Sequence, residues 1–377
     1  MKKLLAALLA VSLCILPAAA VSGAPTVDAG SAVLMEKETG QLLFEQNAHD
    51  KLEPASVTKV MTLLLVMEAI DAGRLAYTDT VQVSAHAASM GGSQVYLKEG
   101  ESMTVDDMLK AVAVVSGNDA AVALAEHLAG SEEGFVEQMN DRAAQLGMED
   151  THFMNCTGLP AAGHLTSAYD IALMSRALIL HHPNIRKYTT IWMDTIRDGA
   201  FQLSNTNKLV RFYDGATGLK TGSTDSALYC LSATAERDGM ELIAVVMKSQ
   251  SSDKRFESAK SLLNFGFANY TVMDVYPNKA LPTVDVLLGE QERVQPVLQG
   301  TSRVLVDKAE LDAVTTEIEI SPDVEAPVEE GQVLGHMIVK VNGEERQRMD
   351  IVSEQAVARL TVPGIFKRLF DTLMMAG

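Results

Sequence analysis

The sequence is short of cysteine, and this limits what can hold the fold together. Its cysteines are Cys14, Cys156 and Cys230. So few cannot staple a chain of 377 residues, and no spacing of cysteine and histidine is typical of a zinc site. We therefore expect no metal and no other cofactor. Cys156 and Cys230 are predicted to be free and buried, with a disulfide between them left open.

Basic residues are also in short supply. The sequence has 31 lysines and arginines against 49 aspartates and glutamates, which gives a formal net charge of −18 at pH 7. Proteins that bind nucleic acid need a basic patch to meet the phosphates. The composition therefore argues against nucleic acid as a partner.

The N-terminal segment has the pattern of an export signal. Lys2 and Lys3 precede a largely apolar run over residues 4–16, which is too short to span a membrane comfortably. Small residues follow, with a possible cleavage point after Ala24. We predict that residues 1–24 are a signal peptide, and an N-terminal membrane anchor is the alternative.

Residues 25–271 begin and end with strand patterns and have helical patterns between them. We therefore predict an α+β domain whose sheet combines both ends of the region. Strands are predicted at 31–36, 42–45, 229–235 and 242–248. Helices are predicted at 54–70, 105–115, 120–128, 169–180 and 253–267.

Two further segments follow this domain. Residues 272–362 carry short alternating runs separated by turn residues, which predicts a small all-β domain with a spacer or scaffold role. Residues 363–377 place apolar side chains on one helical face and Lys367 and Arg368 on the other. A helix of this length spans about 22 Å, short of a hydrocarbon core of roughly 30 Å. We predict a helix lying in the membrane interface, with packing on the protein itself as the alternative.

Three short motifs occur in order along the chain. They are Ser56-Val57-Thr58-Lys59, Ser116-Gly117-Asn118 and Lys220-Thr221-Gly222. Such a set is typical of penicillin-binding proteins and β-lactamases. Any one of them alone is weak evidence, but three in this order, each at a predicted element boundary, indicate one catalytic cleft.

Ser56 and Lys59 are three residues apart at the start of a predicted helix, so their side chains share one face. A serine hydroxyl needs a base to become a nucleophile, and Lys59 can serve only when it is neutral. Lowering a lysine pKa from about 10.4 to about 7.5 costs about 4 kcal/mol. Burial can supply this, and Lys220 is a candidate for a second positive charge that adds to it.

The other two motifs offer groups that face the same cleft. Ser116 is a candidate to relay a proton to the leaving amine, and Asn118 to hold Lys59 and a substrate amide. Gly222 lets a substrate backbone approach a strand edge. Thr221 and Lys220 can bind a terminal carboxylate.

Arg255 lies at the start of the last predicted helix of the domain. A guanidinium grips a carboxylate through two parallel hydrogen bonds. Its alternative role is that of an ordinary exposed helix residue.

The chain resembles the low-molecular-weight penicillin-binding proteins, specifically the serine-type D-Ala-D-Ala carboxypeptidases of the peptidase S11 family. The resemblance covers nearly the whole chain, including the three motifs in their flanking sequence and the stretch 155–159. The family usually has proline where this chain has Cys156. The resemblance implies a β-lactamase/transpeptidase-like catalytic domain followed by the small all-β domain and the amphipathic helix.

The resemblance also implies the chemistry. Ser56 would attack the penultimate carbonyl of a peptidoglycan pentapeptide ending in D-Ala-D-Ala, and β-lactam antibiotics would acylate the same serine. The family's oxyanion hole matches the backbone N–H groups of Ser56 and Ser223, and its carboxylate-binding arginine matches Arg255. An exported, peripheral position on the extracytoplasmic face of the cell membrane follows from the same resemblance.

Two alternatives stay open from the sequence. A class A β-lactamase would carry a glutamate four residues before an asparagine in the loop after the second motif, and Thr151 stands there before Asn155. A non-catalytic homologue would only hold the wall peptide, although all three motifs are intact. A triad of the elastase or lipase kind is disfavoured, because no G-x-S-x-G sequence surrounds Ser56.

Overall fold

The computed structural model describes residues 23–277, 280–366 and 370. The predicted signal peptide therefore lies outside the described residues except for its last two positions. Of the predicted C-terminal helix, residues 363–366 and 370 are helical, and the remainder lies outside the described residues.

The first domain is built on a five-stranded antiparallel sheet and two small hairpins. Its strands are β1 (Ser31–Glu36), β2 (Leu42–Gln46), β3 (Thr80–Gln82), β4 (Ser102–Thr104), β5 (Met193–Ile196), β6 (Phe201–Ser204), β7 (Ala216–Thr224), β8 (Leu228–Arg237) and β9 (Met240–Ser249). The hairpins are β3-β4 and β5-β6, and the large sheet has the strand order β2-β1-β9-β8-β7. Because β1 pairs with β9, the sheet joins both ends of the domain, which confirms the predicted arrangement.

Helices cover both faces of this sheet. They are α1 (Lys59–Asp71), α2 (Ala85–Ala88), α3 (Val105–Val114), α4 (Asn118–Ala129), α5 (Glu132–Gln145), α6 (Ala168–His181), α7 (Arg186–Thr189), α8 (Leu209–Phe212) and α9 (Ser252–Asn269). The helix α1 is buried on all sides from Lys59 to Met67, and most of these residues are apolar, as a helix enclosed by the core requires. On the opposite face α9 packs against β8 and β9.

Glycine permits the closest approach of α9 to the sheet. A Cβ at Gly266 would lie 2.4 Å from the Leu242 Cδ1. Any larger residue there would push the helix away from β9.

The second domain is all-β, as the sequence predicts. Its strands are β10 (Tyr270–Asp274), β11 (Val284–Leu287), β12 (Arg293–Val294), β13 (Pro296–Leu298), β14 (Arg303–Asp307), β15 (Val314–Ile320), β16 (Asp323–Glu325), β17 (Val333–Val341) and β18 (Glu344–Ser353). A four-stranded sheet has the order β13-β18-β17-β15, and β10 continues directly from α9 to pair with β14. Across the junction, Arg303 donates to the Gly239 carbonyl at 2.8 Å.

Candidate active site

Ser56 lies in a 3₁₀ turn, Ala55–Thr58, that runs directly into α1. The sequence predicts a single helix from residue 54, but the first turn is tighter and the α-helix begins at Lys59. Ala55 has φ 47°, a conformation that L-residues rarely adopt and that costs about 1–3 kcal/mol. The turn leaves Ser56 half-buried while Ala55 and Val57 are fully buried. A strained backbone conformation thus lies directly before the candidate nucleophile.

Lys59 is completely buried, and its ammonium group has three acceptors around it. Its Nζ lies 3.1 Å from the Ser56 Oγ, 2.6 Å from the Asn118 Oδ1 and 2.7 Å from the Thr157 carbonyl oxygen. A neutral amine keeps two N–H donors, which fit the Asn118 and Thr157 oxygens. Its lone pair is then directed at the Ser56 hydroxyl.

Burial lowers the pKa of Lys59 to about 7, although the nearby Cys156 and Asp119 oppose the shift. Of the two causes that the sequence offers, burial and a second positive charge, burial accounts for the lowered pKa of Lys59. Desolvation is the main cause, because the side chain is enclosed on all sides. Lys220 is itself buried, and burial together with the charge on Lys59 lowers its pKa well below the ordinary value.

The second motif reaches the same cleft. Asn118 is the first residue of α4, two residues earlier than predicted, and its amide also donates to the Gly91 carbonyl at 2.7 Å. Ser116 has φ 65°, and within the described residues its buried Oγ has no hydrogen-bond partner. An unpaired buried hydroxyl costs about 1–3 kcal/mol, and Ser116 is thus available to a bound substrate.

The third motif lies on β7, an edge strand of the sheet. Gly222 packs against the nucleophile turn so closely that a Cβ there would lie 2.8 Å from the Ser56 backbone nitrogen. The Lys220 Nζ donates to the Thr221 carbonyl at 2.9 Å. Ser223 follows on the exposed part of the strand. The structure therefore brings Ser56, Lys59, Asn118 and the β7 motif together.

Arg255 lies behind β7, and its guanidinium group contacts the backbone of the third motif. Its Nη1 donates to the Gly222 carbonyl at 3.1 Å and to the Cys230 carbonyl at 3.2 Å. Burial lowers the pKa of Arg255 to about 10. Its Nε is buried without a partner among the described residues. The exposed-residue alternative is thus wrong, whereas its predicted contact with a substrate carboxylate stays a prediction.

Several further residues complete the site, and their individual roles were not predicted from the sequence. Thr157 offers the carbonyl that holds Lys59, and Gly158, at φ +85°, lets its loop meet the nucleophile turn. A Cβ at Gly158 would lie 1.8 Å from the Ala55 carbonyl oxygen. Thr206 places its hydroxyl 2.7 Å from that of Thr221. These contacts join residues that are far apart in the chain, so sequence spacing gives no signal for Thr157 or Gly158.

The two described cysteines are free and buried, which confirms that prediction. Burial raises the pKa of both thiols, to about 11 at Cys230. The Cys156 backbone N–H donates to the Glu132 carboxylate at 3.0 Å, which fixes the start of the loop that holds Lys59.

The fold and this grouping of serine, lysine and asparagine define an active-serine enzyme of the acyl-transfer class. Residues 18–251 match the family model of the D-alanyl-D-alanine carboxypeptidases, peptidase S11, and residues 271–359 match that of the penicillin-binding protein 5 C-terminal domain. The chain belongs to the D-alanyl-D-alanine carboxypeptidase family.

Relatives and solved structures agree with this assignment. The chain is 44% identical over 322 residues to the D-alanyl-D-alanine carboxypeptidase DacF of Bacillus subtilis, covering 84% of this chain and 82% of the relative. It is similar in structure to penicillin-binding protein 5 of Haemophilus influenzae, with a TM-score of 0.79, 30% identity and coverage of 89% and 99%. The ampicillin-bound penicillin-binding protein D2 of Listeria monocytogenes matches with a TM-score of 0.59 and 34% identity over 64% of this chain and 98% of that one.

Proposed function

We propose that this protein is a serine D-alanyl-D-alanine carboxypeptidase that removes the terminal D-Ala from peptidoglycan stem peptides and that penicillins acylate at Ser56. The observation that carries the proposal is the buried Lys59, whose Nζ lies 3.1 Å from the Ser56 Oγ between two fixed acceptors. Membership of the carboxypeptidase family supports the same reaction.

The first half of the reaction forms an acyl-enzyme. The Ser56 Oγ gives its proton to neutral Lys59 and bonds to the carbonyl carbon of the penultimate D-Ala. Backbone N–H groups of Ser56 and Ser223 stabilise the oxyanion. The C–N bond then breaks, and the leaving amine takes a proton by way of Ser116. Water hydrolyses the resulting ester in the second half.

The substrate lies along the open edge of β7 in this proposal. An extended peptide pairs with an edge strand through main-chain hydrogen bonds, and Asn118 holds the amide on the other side of the cleft. The terminal carboxylate of the substrate meets the Thr221 hydroxyl, the Lys220 amine and the Arg255 guanidinium. The protein therefore prefers peptides with a free C-terminal carboxylate.

A class A β-lactamase is a weaker candidate. Rapid deacylation in that class depends on a glutamate, and Thr151 stands at the expected position, where its hydroxyl donates to Asp170 at 2.7 Å. The Asn155 side chain accepts from the Gly158 N–H at 2.7 Å and so shapes its own loop. We expect penicillin to remain bound as a slowly hydrolysed adduct.

We also propose that the enzyme is exported and is held at the outer face of the cell membrane. The pattern of residues 1–24 supports export. Exposed apolar side chains at Val362, Phe366 and Phe370 support an interfacial C-terminal helix. Within the part of the chain that the structure describes, no helix is long and apolar enough to cross a membrane.

Mass spectrometry of the intact protein with penicillin tests the assignment of the nucleophile. We expect one covalent adduct on the wild-type protein and none on Ser56→Ala. We also expect the wild type to release D-Ala from a diacetyl-Lys-D-Ala-D-Ala peptide. An adduct on the alanine variant would move the nucleophile elsewhere, and an acylated wild type that releases no D-Ala would favour a non-catalytic binding protein.

A further inference from the structure

A buried histidine lies behind the nucleophile turn, outside the mechanism described above. His164 and Thr58 are both buried, and the His164 Nε2 lies 2.8 Å from the Thr58 Oγ1. Thr58 is the third residue of the Ser56-Val57-Thr58-Lys59 motif. His164 belongs to the loop between α5 and α6, which also contributes Thr157 and Gly158.

Two hydrogen bonds fix which nitrogen of His164 carries the proton. The Met154 backbone N–H donates to the His164 Nδ1 at 2.9 Å, so this nitrogen must be the acceptor. The Thr58 hydroxyl donates its single proton to the Ala55 carbonyl at 2.9 Å. The Nε2 must therefore carry the proton and donate it to the Thr58 Oγ1. Burial, which lowers the pKa of His164 to about 4, keeps the ring neutral.

This series of hydrogen bonds ends on Ala55, a strained residue next to the nucleophile. Ala55 has φ 47°, and strain of this kind persists only where the surrounding structure fixes it. Gly158 packs against the other side of the Ala55 carbonyl, since a Cβ on Gly158 would lie 1.8 Å from the Ala55 carbonyl oxygen. Nearby, the Leu52 and Thr166 backbones exchange two hydrogen bonds of 2.8 and 2.9 Å, which tie the loop to the chain just before the turn.

We propose that His164 is a positioning residue of the reaction, which acts through Thr58 to hold the Ala55 carbonyl and so to direct the Ser56 Oγ at Lys59. It touches neither substrate nor nucleophile. The inference rests on the proposed function, because it assigns His164 a role in the acylation of Ser56. Misplacing a reacting atom by about 1 Å can cost about 100-fold in rate.

A matched pair of substitutions separates the two hydrogen bonds of the ring. His164→Asn keeps an acceptor near the Nδ1 position for Met154 but removes the donor to Thr58. His164→Gln keeps a donor near the Nε2 position but removes that acceptor. We expect His164→Asn to lower the saturating rate of acylation by penicillin about 10- to 100-fold, and His164→Gln to stay within about threefold of wild type. His152→Asn, an exposed histidine of the same loop, is the control.

The role through Thr58 is tested by a double-mutant cycle read out on acylation by intact mass spectrometry. Adding His164→Asn to Thr58→Val must cost little beyond Thr58→Val alone, because the partner is already gone. Thr58→Ser retains the hydroxyl and must acylate faster than Thr58→Val. Thermal melting confirms that each variant is folded at the assay temperature, and if His164→Asn does not fold, the two Thr58 variants and His164→Gln carry the test.

Acylation at the wild-type rate in folded His164→Asn would overturn the proposal. So would additive losses of rate in the double-mutant cycle, or equal acylation rates in Thr58→Ser and Thr58→Val. If His164→Asn does not fold, loss of acylation in folded His164→Gln would overturn it instead. Failure of the proposed function has a different signature, since the wild-type protein itself would then form no adduct on Ser56.

Discussion

At the scale of single residues, the site depends on a lysine that burial keeps close to neutral. Among the described residues, Lys59 forms hydrogen bonds with an amide oxygen, a carbonyl and the nucleophile but with no carboxylate. Neutral acceptors orient the amine with less stabilisation of its charged form than a carboxylate would give. This chemistry is readable in the sequence as a pair of residues, Ser56 and Lys59. The depth at which Lys59 is buried cannot be read from the sequence, because α4 and the 155–159 loop produce this burial.

The pH dependence of acylation follows from the direction of this shift. Lys59 acts as a base only when it is deprotonated, and its pKa is lowered to about 7. We expect the rate of acylation by penicillin to rise with pH through about 7 and to fall about tenfold per pH unit below that point. Lys59→Arg stays charged and must form no adduct. A rate that is constant between about pH 6 and 8 would contradict this assignment.

Thr206 is predicted to orient the Thr221 hydroxyl toward a substrate carboxylate. When Thr221 donates its single proton to the substrate, it can accept one from Thr206, whose hydroxyl lies 2.7 Å away. We expect Thr206→Val to raise the KM for a peptide substrate about 5- to 15-fold, as the loss of one hydrogen bond implies, with a smaller effect on kcat. Thr206→Ser should restore the wild-type KM. Equal KM values in all three proteins would show that Thr206 has no part in binding.

At the scale of elements, the sequence predicts which helices and strands form but not how closely they pack against one another. The predicted helices and strands of the first domain fall within a few residues of the observed bounds, because hydrophobic periodicity and turn residues are local signals. The helix α5 and the strand β7 were not among them. The 3₁₀ turn at Ala55–Thr58 was predicted as the start of a helix. This turn depends on Gly158 and Gly222, which come from distant parts of the chain. Contacts between residues so far apart cannot be predicted from the local sequence.

The loop contact at the nucleophile turn can be tested with two glycines of the same loop. Gly158 and Gly163 both have positive φ, at +85° and +83°, but a Cβ at Gly158 would meet the Ala55 carbonyl whereas Gly163 has nothing within 4 Å. We expect Gly158→Ala to abolish acylation of Ser56. Gly163→Ala should acylate normally and lose only about 1 kcal/mol of stability, because alanine is strained at positive φ. Penicillin labelling and thermal melting distinguish these outcomes, and normal labelling of Gly158→Ala would disprove the contact.

At the scale of the whole molecule, the proposed catalytic site and the proposed membrane attachment lie in different parts of the chain. The three motifs lie in the first domain, and the all-β domain leads to the terminal segment that carries exposed Val362, Ile365 and Phe366. The domain order was predictable from changes in sequence pattern. The domain boundaries and the course of the chain beyond residue 370 stay predictions.

Removal of residues 363–377 tests whether this segment attaches the protein to the membrane without affecting catalysis. We expect the shortened protein to acylate at the wild-type rate, because the motifs are untouched, and to lose cosedimentation with phospholipid vesicles. Phe366→Glu in the full chain should weaken vesicle binding in the same direction, since a charge replaces an exposed apolar side chain. Unchanged binding after both changes would show that this segment does not attach the protein to the membrane.

An NMR titration of the Lys59 side chain, in protein labelled at lysine Cε and assigned with Lys59→Arg, measures whether Lys59 is a neutral base. We expect this lysine to lose its proton near pH 7, as its burial requires. A lysine that keeps its proton up to its ordinary pKa of 10.5 would rule out Lys59 as the base, because no neutral amine would then face Ser56 at physiological pH.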